Sequence, residues 1–133
     1  MIDVENSVLQ AIGTAIGTSA TLVNEPVEAP AQYPCVSVVE ADNVICVETI
    51  DSDGEENHVD VVYEINVYSN DATNRTGQAK GIFLDIDDVM SNLGFLRIAK
   101  NPISSSVPAF YQIMAKYSAR VSKNNEIYKI DKI

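Results

Sequence analysis

The sequence predicts an α+β domain. It has an antiparallel or mixed β-sheet of about four to six strands, an amphipathic helix over about 75–93 packed on one face, and an N-terminal helix over about 2–16. Three observations carry that expectation. Val59, Val61, Tyr63, Ile65 and Val67 alternate with His58, Asp60, Val62, Glu64, Asn66 and Tyr68, the period-two pattern of a half-buried antiparallel strand. Ala79, Ile82, Phe83, Ile86, Val89, Met90 and Leu93 recur at three- and four-residue steps, which gathers them on one helical face. Tyr111, Ile113, Ala115, Tyr117, Ala119 and Val121 alternate with Gln112, Met114, Lys116, Ser118, Arg120 and Ser122, a second long strand. Strands joined by short turns pair antiparallel, and the helix covers the apolar face they make.

The remaining elements follow along the chain. Val4, Val8, Ile12 and Ile16 recur at four-residue spacing with Leu9 beside them, Asp3 and Glu5 stand where the helix dipole favours acids, and Gly17 is a stop. Thr21-Leu22-Val23 reads as a short edge strand. Pro26, Pro30 and Pro34 make Glu25 to Pro34 an extended linker. Val36 to Glu40 reads as a strand, Asp42-Asn43 as a turn, Val44 to Ile50 as its partner, and Asp51 to Asn57 as an acidic loop. Gly94 ends the second helix in a left-handed conformation. Phe95 to Ala99 reads as a short strand, Asn101 to Pro108 as a Ser/Pro loop, Lys123 to Glu126 as a turn and Ile127 to Ile130 as the last strand.

A chain of 133 residues, 46% hydrophobic and 21% charged, has the size and composition of one globular domain. Its apolar runs are too short for a membrane span, and acids near the N-terminus stand where an export signal needs Lys or Arg. Cys35 and Cys46 lie in apolar surroundings and read as small buried hydrophobes in a reducing cytoplasm. Charge is segregated. Through Asn74 there are 14 acids and no Lys or Arg; from Arg75 onward 9 basic residues face 5 acids, for a net charge of −10. That balance argues against free nucleic-acid binding. Two accounts of the asymmetry stand: the halves neutralise each other within one sheet, with Asp60 and Glu64 facing Lys116 and Arg120, or opposite charges meet across a head-to-tail subunit contact.

Residues that carry chemistry are few. His58 is the one histidine and has no cysteine or second histidine at ligand spacing. The acidic loop lacks the third acid before Gly54 and the Glu six residues after it that a calcium loop needs. Asp85, Asp87 and Asp88 read as the wet side of the second helix, with Lys80 and Ser91. No glycine-rich phosphate loop or nucleophile elbow occurs, the serines at 104–106 have no histidine nearby in sequence, and Asn74-Arg75-Thr76 is a glycosylation sequon that only an exported protein would use. The expectation is a protein with no catalytic residue, cofactor or metal.

The succession Val67-Tyr68-Ser69-Asn70, then Gly77, Ala79, Ile82, Ile86-Asp87 and Met90, then Leu93-Gly94-Phe95 and Arg97, then Pro102-Ile103, then Tyr111-Gln112 and Lys116-Tyr117-Ser118-Ala119 resembles the tail terminator (tail completion) proteins of long-tailed bacteriophages. The N-terminal helix and the proline-containing linker before Tyr33-Pro34-Cys35-Val36 are also similar to that group. The resemblance implies a structural virion subunit, assembled in the bacterial host cytoplasm, with no catalytic residues to carry over. It implies a ring, a hexamer as a rule, on the head-proximal end of the tail, ending tube polymerisation and offering the head its docking surface. Implied partners are further copies of the chain, the major tail tube protein and a head-completion or neck protein, with phage DNA passing through the ring and no membrane. Interaction residues expected on this reading are Asp51, Asp53, Glu55 and Glu56 of the acidic loop and the basic Arg97, Lys100, Lys116 and Arg120. The segments 25–34, 51–57 and 101–108 are expected to be ordered mainly by neighbouring subunits. The alternatives are another neck or tail component (head-completion, stopper or tube protein), and an unrelated intracellular binding domain or small enzyme with an acidic helix site.

Overall fold

A computed structural model describes residues 2–27, 30–46, 58–106 and 109–128, excluding the side chains of 104–106 and 109. In chain order the elements are α1 (Glu5–Ile16), β1 (Thr21–Val23), β2 (Cys35–Ile45), β3 (His58–Ser69), α2 (Arg75–Leu93), β4 (Leu96–Ser106), β5 (Ala109–Ser122) and β6 (Ile127–Tyr128). The fold is α+β, with a mixed six-stranded sheet in the order β1-β2-β3-β5-β4 and β6 also pairing with β5. Among the described residues β1–β2 is the one parallel pair and the others are antiparallel.

The alternation read in β3 and β5 places two apolar rows on one face of the sheet. Val59, Val61, Tyr63, Ile65 and Val67 of β3, with Ile113, Ala115, Tyr117, Ala119 and Val121 of β5, are all buried. α2 lays Ala79, Ile82, Phe83, Ile86 and Met90 onto this face, and α1 adds Val8, Ile12 and Ile16 to the same core. Gly94 closes α2 at φ 105°. Phe95 N–H reaches Met90 O at 2.9 Å and Gly94 N–H reaches Ser91 O at 3.1 Å, the paired bonds that satisfy a helix's last carbonyls. Phe95 then packs edge-to-face on Tyr63, ring centres 5.7 Å apart.

Two expected loops are strand. β2 runs through Asp42 and Asn43, which pair with Val62 and Val61, and Ala41 forms a bulge in place of the expected turn. Asn43 is held by its side chain, which donates to Ile2 O at 3.0 Å and Glu40 Oε1 at 3.1 Å. β4 runs through Asn101, Pro102 and the serines to Ser106, paired along β5, with a bulge at Ile98. Pro102 is tolerated because β4 is an edge strand, where one side of the backbone needs no donor. The segment 101–106 therefore has β5 of the same chain as its strand partner. The linker is also anchored within the chain. Ser37 Oγ donates to Glu25 O at 2.6 Å, Tyr68 OH donates to Val27 O at 2.7 Å, and Val27 and Tyr33 pack on Cys35, Tyr68 and Phe110. Cys35 and Cys46 are both buried thiols. The acidic loop 51–57, residues 47–50 of the expected partner strand and residues 129–130 of the last strand lie outside the described residues.

Candidate functional site

The two helices cover one face of the sheet; the opposite face carries the polar partners of the alternation. Asp60 stands opposite Arg120, and Glu64 opposite Lys116, as the sequence pattern suggests. Arg120 reaches Asp60 through Nε at 2.9 Å and Nη2 at 3.2 Å. That paired contact holds the Asp60 carboxyl below the usual carboxylate range, against a smaller opposing effect of burial. Farther along, Gln112 donates to Asn66 Oδ1 at 2.8 Å. This face neutralises part of the charge asymmetry inside the chain, so Lys116 and Arg120 have an intramolecular setting.

Arg97 and Lys100 belong elsewhere, on the β4 edge beside α2. Arg97 pairs with Asp87 at 3.2 Å, and Tyr117 OH donates to the same Asp87 oxygen at 2.7 Å. Lys100 lies over the Phe83 ring, 5.2 Å from its centre. Asp87 is therefore half-buried and tied to the sheet, a correction to its reading as part of the helix's wet side; Asp85 and Asp88 are exposed. Burial raises the Tyr117 hydroxyl, as does its bond to Asp87, so it acts as a donor at any ordinary pH.

The opposite edge is acidic. Glu40 on β2 stands near Asp3 and Glu5 of the N-terminal segment, and burial, then those like charges, push its carboxyl up. Beside it the Tyr63 hydroxyl is buried against the Glu40 carboxyl without a well-formed hydrogen bond; burial first, then the Glu40 charge, raise it too, while the hydroxyl partly offsets the rise at Glu40. Glu40, Tyr63, Asp87 and Tyr117 are absent from the interaction residues expected from the sequence. Tyr63 and Tyr117 could have been found as the polar tips inside two apolar rows.

No group of three His, Cys, Asp or Glu among the described residues is placed to hold a metal ion. His58 Nδ1 is buried without a hydrogen bond, its ring 6.4 Å from that of Tyr128. Burial raises the Cys35 thiol, away from the reactive thiolate. Asp51, Asp53, Glu55 and Glu56 lie outside the described residues. No helix among the described residues is long and apolar enough to cross a membrane. What this arrangement offers is surface: a polar face and two oppositely charged edges. Compared with models of protein families and with curated proteins, the chain matches none.

Proposed function

We propose that this chain is a structural subunit of a ring at the head-proximal end of a long phage tail, where the ring ends tube polymerisation and presents the surface on which the head docks. The observation that carries this reading is the one-sidedness of the sheet. Both helices lie on one face, and among the described residues no strand pairs with the outer side of β4 or with the outer side of β2 beyond Ser37. Exposed sheet edges are a hazard for a lone monomer, whereas a subunit that must contact a copy on either side has a use for two. A heterologous contact of that kind either closes or grows without limit, and stopping tube growth requires closure. The acidic balance suits a passage through which DNA slides without sticking.

On this reading the ring's other contacts are the tube subunit on one side and a neck protein on the other, and its work is assembly rather than turnover. Deletion of the gene from the parent phage or prophage, followed by electron microscopy of the lysate, tests it. Tails of irregular excess length beside filled, tailless heads are expected. Tails of normal length overturn the reading and point to a head-side neck component.

A further inference from the structure

The two long edges of the sheet differ in charge. The β4 edge, with α2 above it, carries Arg97 and Lys100, and three apolar side chains stand out from it and from α2: Leu84 at 61% exposure, Ile98 at 53% and Ile103 at 39%. The β2 edge carries Glu40 and Asp42, with Asp3 and Glu5 close to Glu40, and exposes Val44 at 52% and Ile45 at 44%. β1 covers this edge only from Cys35 to Ser37.

We propose that the β4/α2 edge of one copy docks on the β2 edge of the next, and that this is the seam of the ring; the inference rests on the ring reading above. Charge decides against the symmetric alternatives. With Arg97 paired to Asp87, β4 against β4 brings Lys100 onto its own kind, and β2 against β2 does the same to Glu40 and Asp42, whereas β4 against β2 joins base to acid.

The ladder register adds a second argument. Glu40 pairs with Tyr63, Tyr63 with Tyr117 and Tyr117 with Arg97. One row across the sheet thus has an acid at one edge and a base at the other, at the same height along the strands. Arg97 is already paired with Asp87, and Lys100 stands in the next row, level with Val38, so a copy rotated about an axis along the strands brings Lys100 to Glu40 diagonally, within reach of a long side chain. Strand directions agree: β2 and β5 run one way and β3 and β4 the other, so β4 meets the next β2 antiparallel.

Each edge is also interrupted. Bulges sit at Ile98 on β4 and Ala41 on β2, and Pro102 leaves β4 one N–H short. Such features spoil a continuous main-chain ladder, so side chains make the contact and the sheet does not extend as an open-ended polymer. At the acidic edge the contact brings a cation to Glu40, whose partners among the described residues, the Asn43 amide and the Tyr63 hydroxyl, are neutral. Lys100 makes no ion pair with the described residues, so it is the cation available to cross the seam.

Sedimentation velocity of the wild type, K100E, E40K, their equal mixture and the E40K/K100E double variant tests this. Lys100 is chosen because Arg97 also holds Asp87 within the chain. The wild type is expected to sediment as a closed oligomer, and each single variant to dissociate at a concentration at least about ten-fold higher, since like charges meet at the seam. The mixture restores assembly, because the acidic β4 edge of K100E meets the basic β2 edge of E40K while their other edges stay native. The double variant restores it within one chain. Circular dichroism melts check the fold of each variant; should E40K unfold, E40Q and K100Q replace the reversals, and assembly indifferent to them overturns the seam. Oligomers unchanged in both single variants, or not restored by mixing, overturn the seam and leave the ring reading standing. Wild-type protein that stays monomeric at every concentration overturns the ring reading and the seam with it.

Discussion

The two faces of the β3–β5 ladder are built from the same residues in alternation, yet different physics holds each. On the helix-covered face the side chains are apolar and fully buried, and volume decides what fits. On the other, Asp60 meets Arg120, Glu64 stands opposite Lys116, and Gln112 bonds Asn66, so charge and hydrogen bonding decide. Together the faces fix the register twice. A slip of one residue would put Arg120 among the core side chains and Val121 in solvent. The comparison teaches that the polar face holds position while the covered face supplies stability.

That division is most easily broken by truncation. Ile86 on α2 is buried against the sheet, and Ile86→Ala is expected to cost about 3 kcal/mol through lost burial and the cavity left behind. Val62, on the polar face and only part-buried, should cost less than about 1 kcal/mol as Val62→Ala. Urea unfolding at matched protein concentration reads both. Equal losses would mean that something covers the polar face as thoroughly as the helices cover the other.

Two neighbouring tyrosines sharpen the contrast within the covered face itself. Tyr63 and Tyr117 are paired residues of the ladder and both are buried, but Tyr117 makes a well-formed hydrogen bond, to Asp87, whereas the Tyr63 hydroxyl lies against Glu40 without one. Tyr117→Phe leaves that carboxylate short of a donor and should cost about 1 to 2 kcal/mol. Tyr63→Phe removes a buried hydroxyl that lies against Glu40 without a well-formed bond, so it should be close to neutral. Thermal melts of the two variants side by side check the difference; a larger loss at Tyr63 would show an unrecognised partner at that hydroxyl.

The same periodicities explain what could be read in the sequence. β3, α2 and β5 keep one period from end to end, so their faces, and the Asp60–Arg120 register, follow from residue order. β2 and β4 do not. In β2 the residues on the helix side are Val36, Val38 and Glu40 before the bulge, and Asn43 and Ile45 after it. The pattern changes parity at Ala41, where Asp42 and Asn43 also have turn propensity. β4 changes parity at Ile98 and then contains Pro102 and three serines. Local propensity reads these as breaks, but a strand held by a partner on one side accepts them. The charge segregation was visible in composition; which basic residues stay inside the sheet and which stand at its edge depended on pairing across 46 residues and more, as Gln112 to Asn66 does. Hence Arg97 and Lys100 could be named as a class with Lys116 and Arg120 but not told apart from them.

The smallest expected effects oppose two carboxylates, one on each side of the comparison. Asp60 has its folded value lowered from an ordinary 3.8 by Arg120. Its contribution is therefore present above pH 3.8 and is lost as pH falls through the lower, folded value. Glu40 has its folded value raised above 4.5 by burial and by Asp3 and Glu5. Ionising it costs stability, so that cost is present above the folded value and vanishes below about 4.5. Asp60→Asn should lower stability at neutral pH by about 0.5 kcal/mol, since the pair is partly exposed and screened. Glu40→Gln should raise it by a similar or smaller amount while keeping an acceptor for Asn43. Melts at a protein concentration low enough to keep the chain dissociated, from pH 7 down to pH 3, should show both differences shrinking toward zero from opposite sides. If Glu40→Gln is instead destabilising at neutral pH under those conditions, a cation within the chain already compensates Glu40, and the acidic edge is not waiting for one from a neighbour.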